Sequence, residues 1–183
     1  MKKTVSIISI FLLAITVSVS VFAGTTAVQT SGIELPEKCD KCGMSRIKFA
    51  HSRVLVEFED GSTGGACSIT CASYDIRQKS TKKVKRLLVA DYDDSKVLID
   101  VHDAVWVTGG NLPGVMTKIP KWAFTKKEAA ERFISLHSGK IATFDEVIVA
   151  AKQETCKCGK HGNKNDGKAK HGDDEVPCHS QKL

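Results

Sequence analysis

Several kinds of chemistry leave no trace in this chain of 183 residues. It has no Ser-His-Asp arrangement for acyl transfer and no glycine-rich loop to hold a phosphate. No carboxylate pair sits in a motif context. Asp100 and Asp103 read as a strand-end turn, not an acid–base couple. An arginine–aromatic surface for nucleic acid is also missing: the positive charge lies mostly in scattered lysines and reads as solubility charge. Methionine is scarce. Only Met44 and Met116 follow the initiator. No cysteine stands at Gly24, so the pattern of a bacterial lipoprotein anchor is absent.

What is present begins with Lys2-Lys3, an apolar run from Val5 to Phe22 broken only by Ser and Thr, and Val21-Phe22-Ala23 with its small residues. This is the layout of a cleaved signal peptide over residues 1–23, which predicts export to the periplasm. The net charge of +6 includes Lys2 and Lys3, so the mature chain carries +4. The seven cysteines cannot all pair within the chain, and an oxidising compartment attacks exposed thiol pairs. Cysteines at close spacing there are either disulfides or thiolates held by a metal.

Residues 24–38 read as a flexible lead-in. A folded region is expected over 39–151, with strands at 53–58, 87–92, 96–100, 104–108 and 141–144. Ser68 is placed to cap a helix running to Lys79 that carries Ile69, Ala72 and Ile76 on one side. Thr125 with Glu128 reads as a capping box for a second helix ending at Gly139, and Asp145 as the cap of a last one. The order predicts an α+β fold of two small strand-strand-helix half-domains, although no sequence repeat marks them. The tail, 152–183, holds seven Lys, four Gly, three His and three Cys with almost no large apolar side chain. Such a composition predicts disorder in the absence of metal.

The sharpest constellation is Cys39-x2-Cys42 followed by Cys67-x3-Cys71. Gly43 permits the tight turn that brings the first two sulfurs together. Cys71 falls in the first turn of a helix, where outward-pointing amides favour a thiolate. A knuckle plus a helix start builds a four-sulfur tetrahedral site. The same cysteines also suit two disulfides or a Cys-x-x-Cys redox couple. Met44, two residues after Cys42, favours a soft ion: a thioether is a poor ligand for Zn(II) and a good one for Cu(I). The tail carries a looser set, Cys156, Cys158, His161, His171, Cys178 and His179, of metal-binding composition but no defined geometry. His51, His102 and His137 read as ordinary surface or helix-end histidines, and Trp106 and Trp122 as core.

Cys42-Gly43-Met44, the strand from Val54 to Phe58 with Asp60-Gly61, and Cys67-Ser68-Ile69 resemble the NosL family. So do Ala90-Asp91-Tyr92, Ile99-Asp100, the run from Ala104 to Gly109, the loop holding Met116 and Pro120, and Phe144 to Ile148. The resemblance spans roughly residues 39 to 150. It implies a periplasmic copper chaperone serving nitrous-oxide reductase, two small α+β halves like part of organomercurial lyase, and Cys42, Met44 and Met116 as Cu(I) ligands. Two departures stand out. Gly114 and Val115 separate Met116 from Pro113, where the family places its Met directly after Pro, and the lipoprotein cysteine common in the family is missing. The set Cys39, Cys67 and Cys71 also resembles the treble-clef modules called TRASH domains, which implies a thiolate-rich site or a structural Zn(II) beside the copper.

The expectation is therefore a Cu(I) chaperone, not an enzyme, that delivers its ion to a client cuproenzyme or another copper carrier. It has no nucleic-acid partner and no membrane span once the signal is cut. The rival readings are a zinc- or disulfide-stabilised binding module and, behind it, a thiol redox or heavy-metal-detoxifying enzyme. The enzyme ranks last because Gly43 puts Cys39-x-x-Cys42 in a turn, not at a helix start.

Overall fold

The computed structural model describes residues 27–30 and 32–158. It contains eight strands: β1 (Ala27–Gln29), β2 (Val54–Phe58), β3 (Thr63–Ala66), β4 (Val84–Ala90), β5 (Val97–Asp100), β6 (Val105–Thr108), β7 (Lys121–Phe124) and β8 (Lys140–Ala142). Among the described residues three α-helices, α1 (Ile69–Gln78), α2 (Lys127–His137) and α3 (Phe144–Cys158), and a short 3-10 turn at Ala50–Ser52 join them. The strands form a five-stranded sheet, β1-β5-β4-β2-β3, and a three-stranded one, β7-β6-β8. This is the expected α+β class. Among the described residues no helix is long and apolar enough to cross a membrane.

Alternation along β2 shows why the first sheet forms. Val54, Val56 and Phe58 join the main core with Ile69, Ala72 and Ile76 of α1. Leu55 points to the opposite face, where Leu88, Ala90 and Leu98 make a second cluster. Each apolar position on this central strand thus has a buried partner, and a one-residue slip would exchange the two faces.

The caps fall partly where the sequence places them. Ser68 Oγ accepts a 3.4 Å bond from Cys71 N–H at the start of α1. At α2 the expected Thr125–Glu128 box does not form. The N-cap is Lys126, without a side-chain bond. Thr125 is engaged elsewhere: its amide and hydroxyl donate to buried Asp91 Oδ2 at 2.6 and 2.5 Å. At α3 the box is Thr143 with Glu146, not Asp145: Thr143 N–H donates to Glu146 Oε2 at 2.8 Å and Glu146 N–H to Thr143 Oγ1 at 3.3 Å.

Two stretches behave differently from their composition. In the segment read as a lead-in, β1 pairs with β5, Ala27 opposite Ile99. Further along it Glu34 reaches two arginines, Arg46 and Arg53, whose side chains are fully buried. Helix α3 also continues past residue 151 to Cys158.

Helix α3 packs along α1. Ile76 near the end of α1 and Phe144 at the start of α3 line one cleft of about 430 Å³.

Candidate metal centre

Local hydrogen bonds build the knuckle first. Cys39 N–H donates to Met44 O and Gly43 N–H to Cys39 O, both at 2.8 Å, and Gly43 takes φ +72°, a region where a side chain costs energy. A bridge between Lys38 and Ser45 closes the loop. The knuckle is then fastened to β3: Asp40 N–H donates to Gly65 O at 2.9 Å, and Gly65 N–H to Asp40 Oδ2 at 3.2 Å. Residue 65 must be glycine here, since a Cβ would lie 2.7 Å from Arg46 Nη1.

That guanidinium sits behind the knuckle as a keystone. Arg46 Nε donates to Ala66 O at 3.3 Å and Nη2 to Val54 O at 3.2 Å. Nη1 donates to Glu34 O at 2.8 Å and also reaches Pro36 O. Its Nη2 pairs with the Glu34 carboxylate, and Arg53 Nε donates to both oxygens of that carboxylate at 3.2 and 3.0 Å. Arg53 Nη2 is 3.0 Å from Glu34 Oε2 yet has no aligned hydrogen bond, so the pair is held chiefly through Nε. Burial lowers the Arg46 pKa, opposed by Glu34.

These ties bring four thiols into one cluster. The sulfurs of Cys39, Cys42, Cys67 and Cys71 all lie within 4.8 Å of one another. Cys42–Cys67 is 3.6 Å, Cys67–Cys71 3.7 Å and Cys71–Cys42 3.9 Å. A tetrahedron with metal–sulfur bonds of about 2.3 Å has edges of about 3.8 Å. The sulfur spacing thus fits one thiolate-bound ion, and all four are free thiols in the structure. Cys39, Cys67 and Cys71 are 2%, 0% and 4% exposed, whereas Cys42 is half-buried and forms the open edge.

The electrostatics are those of a crowded thiol cluster. Hydrogen bonds from the Cys67 and Cys71 thiols hold the Cys39 pKa far below the usual thiol range. Hydrogen bonding with Cys39 and then with Cys71, ahead of burial, pushes Cys67 far up, and Cys71 is raised chiefly by Cys39 as well. The Cys39 thiolate is favoured, and ionising Cys67 or Cys71 beside it is costly. A cation bound among the sulfurs offsets that cost. The Ser68-capped start of α1 adds its positive end at Cys71.

The remaining candidates differ in burial and in the contacts they make. Met44 is half-buried and packs against the same core cluster. Met116 is 49% exposed, with φ +51°, in the loop between β6 and β7. Cys156 and Cys158 belong to the last turn of α3, but their side chains lie outside the described residues, as do His161, His171, Cys178 and His179 entirely. His51 faces the other half, with its ring 5.7 Å from both Tyr92 and Trp122, and burial lowers its pKa. His102 stacks edge-on against Phe144, and Trp106 and Trp122 are core residues.

Two features went unread in the sequence: the Glu34–Arg46–Arg53 group, and a clamp made by Glu154. Glu154 falls in the stretch whose composition reads as tail. Only the helical spacing of Val147, Ala151 and Thr155, all buried, signals that α3 extends so far.

The family model for NosL matches residues 31–151. No curated protein matches the chain. Among solved structures, the fold is similar to the copper chaperone NosL from Shewanella denitrificans, with a TM-score of 0.51 and 22% identity, covering 64% of this chain and 94% of that one. The family match takes in all four clustered cysteines together with Met44 and Met116, and on its extent the chain belongs to the NosL family.

Proposed function

We propose that the protein is an exported Cu(I) chaperone that delivers copper to a periplasmic cuproenzyme such as nitrous-oxide reductase. The observation that carries this reading is the four-sulfur cluster with one half-buried member, Cys42, two residues from Met44, in a chain of the NosL family. Copper is the cargo. Cys42 binds it at the open edge, and Met44 and Met116 supply thioethers that need lose no proton. The buried thiols Cys39, Cys67 and Cys71 tune or exchange it. A partner's thiolate or thioether enters at the exposed edge before the first ligands leave, so the ion moves without being released to water. Each incoming thiol gives up its proton as it binds, and each departing sulfur takes one back.

The near-tetrahedral spacing also favours a second reading, in which Zn(II) is held by Cys39, Cys42, Cys67 and Cys71 as a structural ion. Anaerobic Cu(I) titration of the reduced protein against a chromogenic competitor separates the two. Replacing Cys42 by Ser and Met44 by Leu abolishes tight Cu(I) binding under the chaperone reading, and unchanged affinity in that variant would sink it. A second arm ends the chain at Thr155, not at Ala151, because a cut at 151 removes Glu154. Binding that survives the cut places copper in the folded part; binding lost with the tail moves capture to His161, Cys178 and His179 and their neighbours.

A further inference from the structure

Met116 stands in a loop whose geometry is enforced from outside. Val115 is buried in the main core, and its neighbour Met116 takes a left-handed φ of +51° with its side chain 49% exposed. A non-glycine residue in that region costs about 1 kcal/mol or more and persists only where the surroundings impose it. The loop is also closed on itself: a Cβ on Gly114 would lie 2.9 Å from Pro120 Cα.

The enforcing group is Glu154, from α3. Its Oε2 accepts from Thr117 Oγ1 at 2.6 Å and Lys118 N–H at 3.2 Å, and its Oε1 from Ile119 N–H at 3.3 Å. Lys121 Nζ, 1% exposed, donates to Glu154 Oε1 at 3.0 Å and to Thr117 Oγ1 and Ile119 O at 2.8 Å each. One carboxylate and one ammonium thus satisfy three consecutive residues directly after Met116. Such a pair is costly to bury, and a hydrophobic pair of the same size would hold the loop to the helix as well. What the ionic pair adds is a fixed backbone path for 117–119.

We propose that the Glu154–Lys121 pair is a positioning clamp for Met116, holding its thioether ready to meet Cu(I) at the open Cys42 edge of the thiol cluster. The placement agrees with the core packing, since Val115, next to Met116, belongs to the buried cluster that also holds Cys39, Cys67 and Cys71. Glu154 touches no metal and acts through the loop. The proposal rests on Met116 being a Cu(I) ligand, as in the function proposed above.

The test uses the full reduced chain, with ¹³C-methyl methionine labels and anaerobic Cu(I) titration against bicinchoninate. The variants are Glu154→Gln, Lys121→Leu, Met116→Leu and the double variant Glu154→Gln/Met116→Leu. In the wild type the Met116 methyl signal shifts with one equivalent of Cu(I). Glu154→Gln diminishes that shift and weakens Cu(I) binding about tenfold or more, as loss of an outer-shell partner does. Met116→Leu weakens it to a similar extent, and the double variant is no worse than either single one. Lys121→Leu, which leaves the carboxylate in place, gives the same loss of shift in a chain of unchanged circular dichroism. A full-sized Met116 shift in Glu154→Gln, or effects that add, overturns the clamp while leaving Met116 a ligand. A wild-type Met116 signal that ignores Cu(I) overturns the ligand assignment, and the clamp with it.

Discussion

Strands β2 and β3, helix α1 and strand β4 trace the same path as β6, β7, α2 and β8. In each half the first strand is central and pairs antiparallel both with the second and with the strand after the helix. The halves differ most at the turn from second strand to helix. In the first half it carries Cys67 and Ser68, and the helix begins with a thiol in its first turn. In the second it carries Thr125 and Lys126, and Thr125 is spent on a tie to Asp91 at the end of β4. The cores diverge accordingly. Tyr92, Trp122, Phe124 and Phe133 make a continuous set of aromatic contacts in the second half, with ring centroids 4.9 to 6.0 Å apart. One backbone plan thus serves two purposes: a half that presents sulfurs, and a half that holds itself by aromatic packing.

The largest effect expected from this contrast comes from the sulfurs. Cys67→Ser, at the fully buried centre of the cluster, should cost more metal affinity than the roughly 10–100-fold that an outer-shell loss costs. A metal present at a thousand times its dissociation constant stabilises a fold by about 4 kcal/mol. Chelation should therefore speed amide exchange in β2, β3 and α1 and leave β6, β7 and α2 nearly unchanged. Uniform acceleration in both halves would break the comparison, because it would make the cluster a support for the whole domain.

Next comes the buried charge behind the cluster. Glu34→Ala leaves Arg46 and Arg53, both 0% exposed, without their shared carboxylate. Loss of one side of a buried ion pair costs about 3–5 kcal/mol, and the carbonyls that also accept from these arginines keep the expected value near the lower end. Urea unfolding measures it. A loss below about 1 kcal/mol would mean that the carbonyls alone satisfy both guanidinium groups.

Much of this was legible in advance, for physical reasons that differ by element. β2 alternates apolar residues, Ser68 is a strong cap, and Cys39, Cys42, Cys67 and Cys71 stand at ligand spacing, so each announces itself locally. β3 is Thr63-Gly-Gly-Ala66, a poor strand by propensity; its glycines exist because Arg46 and Asp40 approach the backbone. β7 begins with Lys121, whose burial depends on a residue 33 positions away, Glu154. The expected box at Thr125 failed for the same kind of reason: Asp91 competes for that side chain across the fold. What stayed hidden was decided by long-range polar partners, and a single sequence shows periodicity but not partners.

In the second half, Thr125→Val removes the hydroxyl that donates to Asp91 Oδ2 and leaves the Thr125 amide bond in place. A hydrogen bond to a charged group contributes about 1.5–3 kcal/mol. The loss should appear in thermal unfolding with Cu(I) affinity unchanged, since Thr125 lies at the counterpart of the Cys67 turn that carries no cysteine. A matching fall in Cu(I) affinity would show that the two halves are coupled through β4.

The smallest effect is the most discriminating, because it lies on the turn that distinguishes the halves. Ser68 Oγ accepts from Cys71 N–H at 3.4 Å, a long bond, so Ser68→Ala should cost only about 0.5–1 kcal/mol of stability. The same substitution frees the backbone N–H of Cys71 itself, at the start of α1. An unpaired N–H there adds to the positive end of the helix. Cys71, now held above the usual thiol range, would then ionise more easily. The expected outcome is a slightly less stable protein whose thiols react faster with an alkylating probe at neutral pH. At Lys126, the matching N-cap, no side chain bonds the helix start, so Lys126→Ala should leave both stability and thiol reactivity as they are. Slower alkylation in Ser68→Ala would mean that the cap, and not the bare amide, is what favours the Cys71 thiolate.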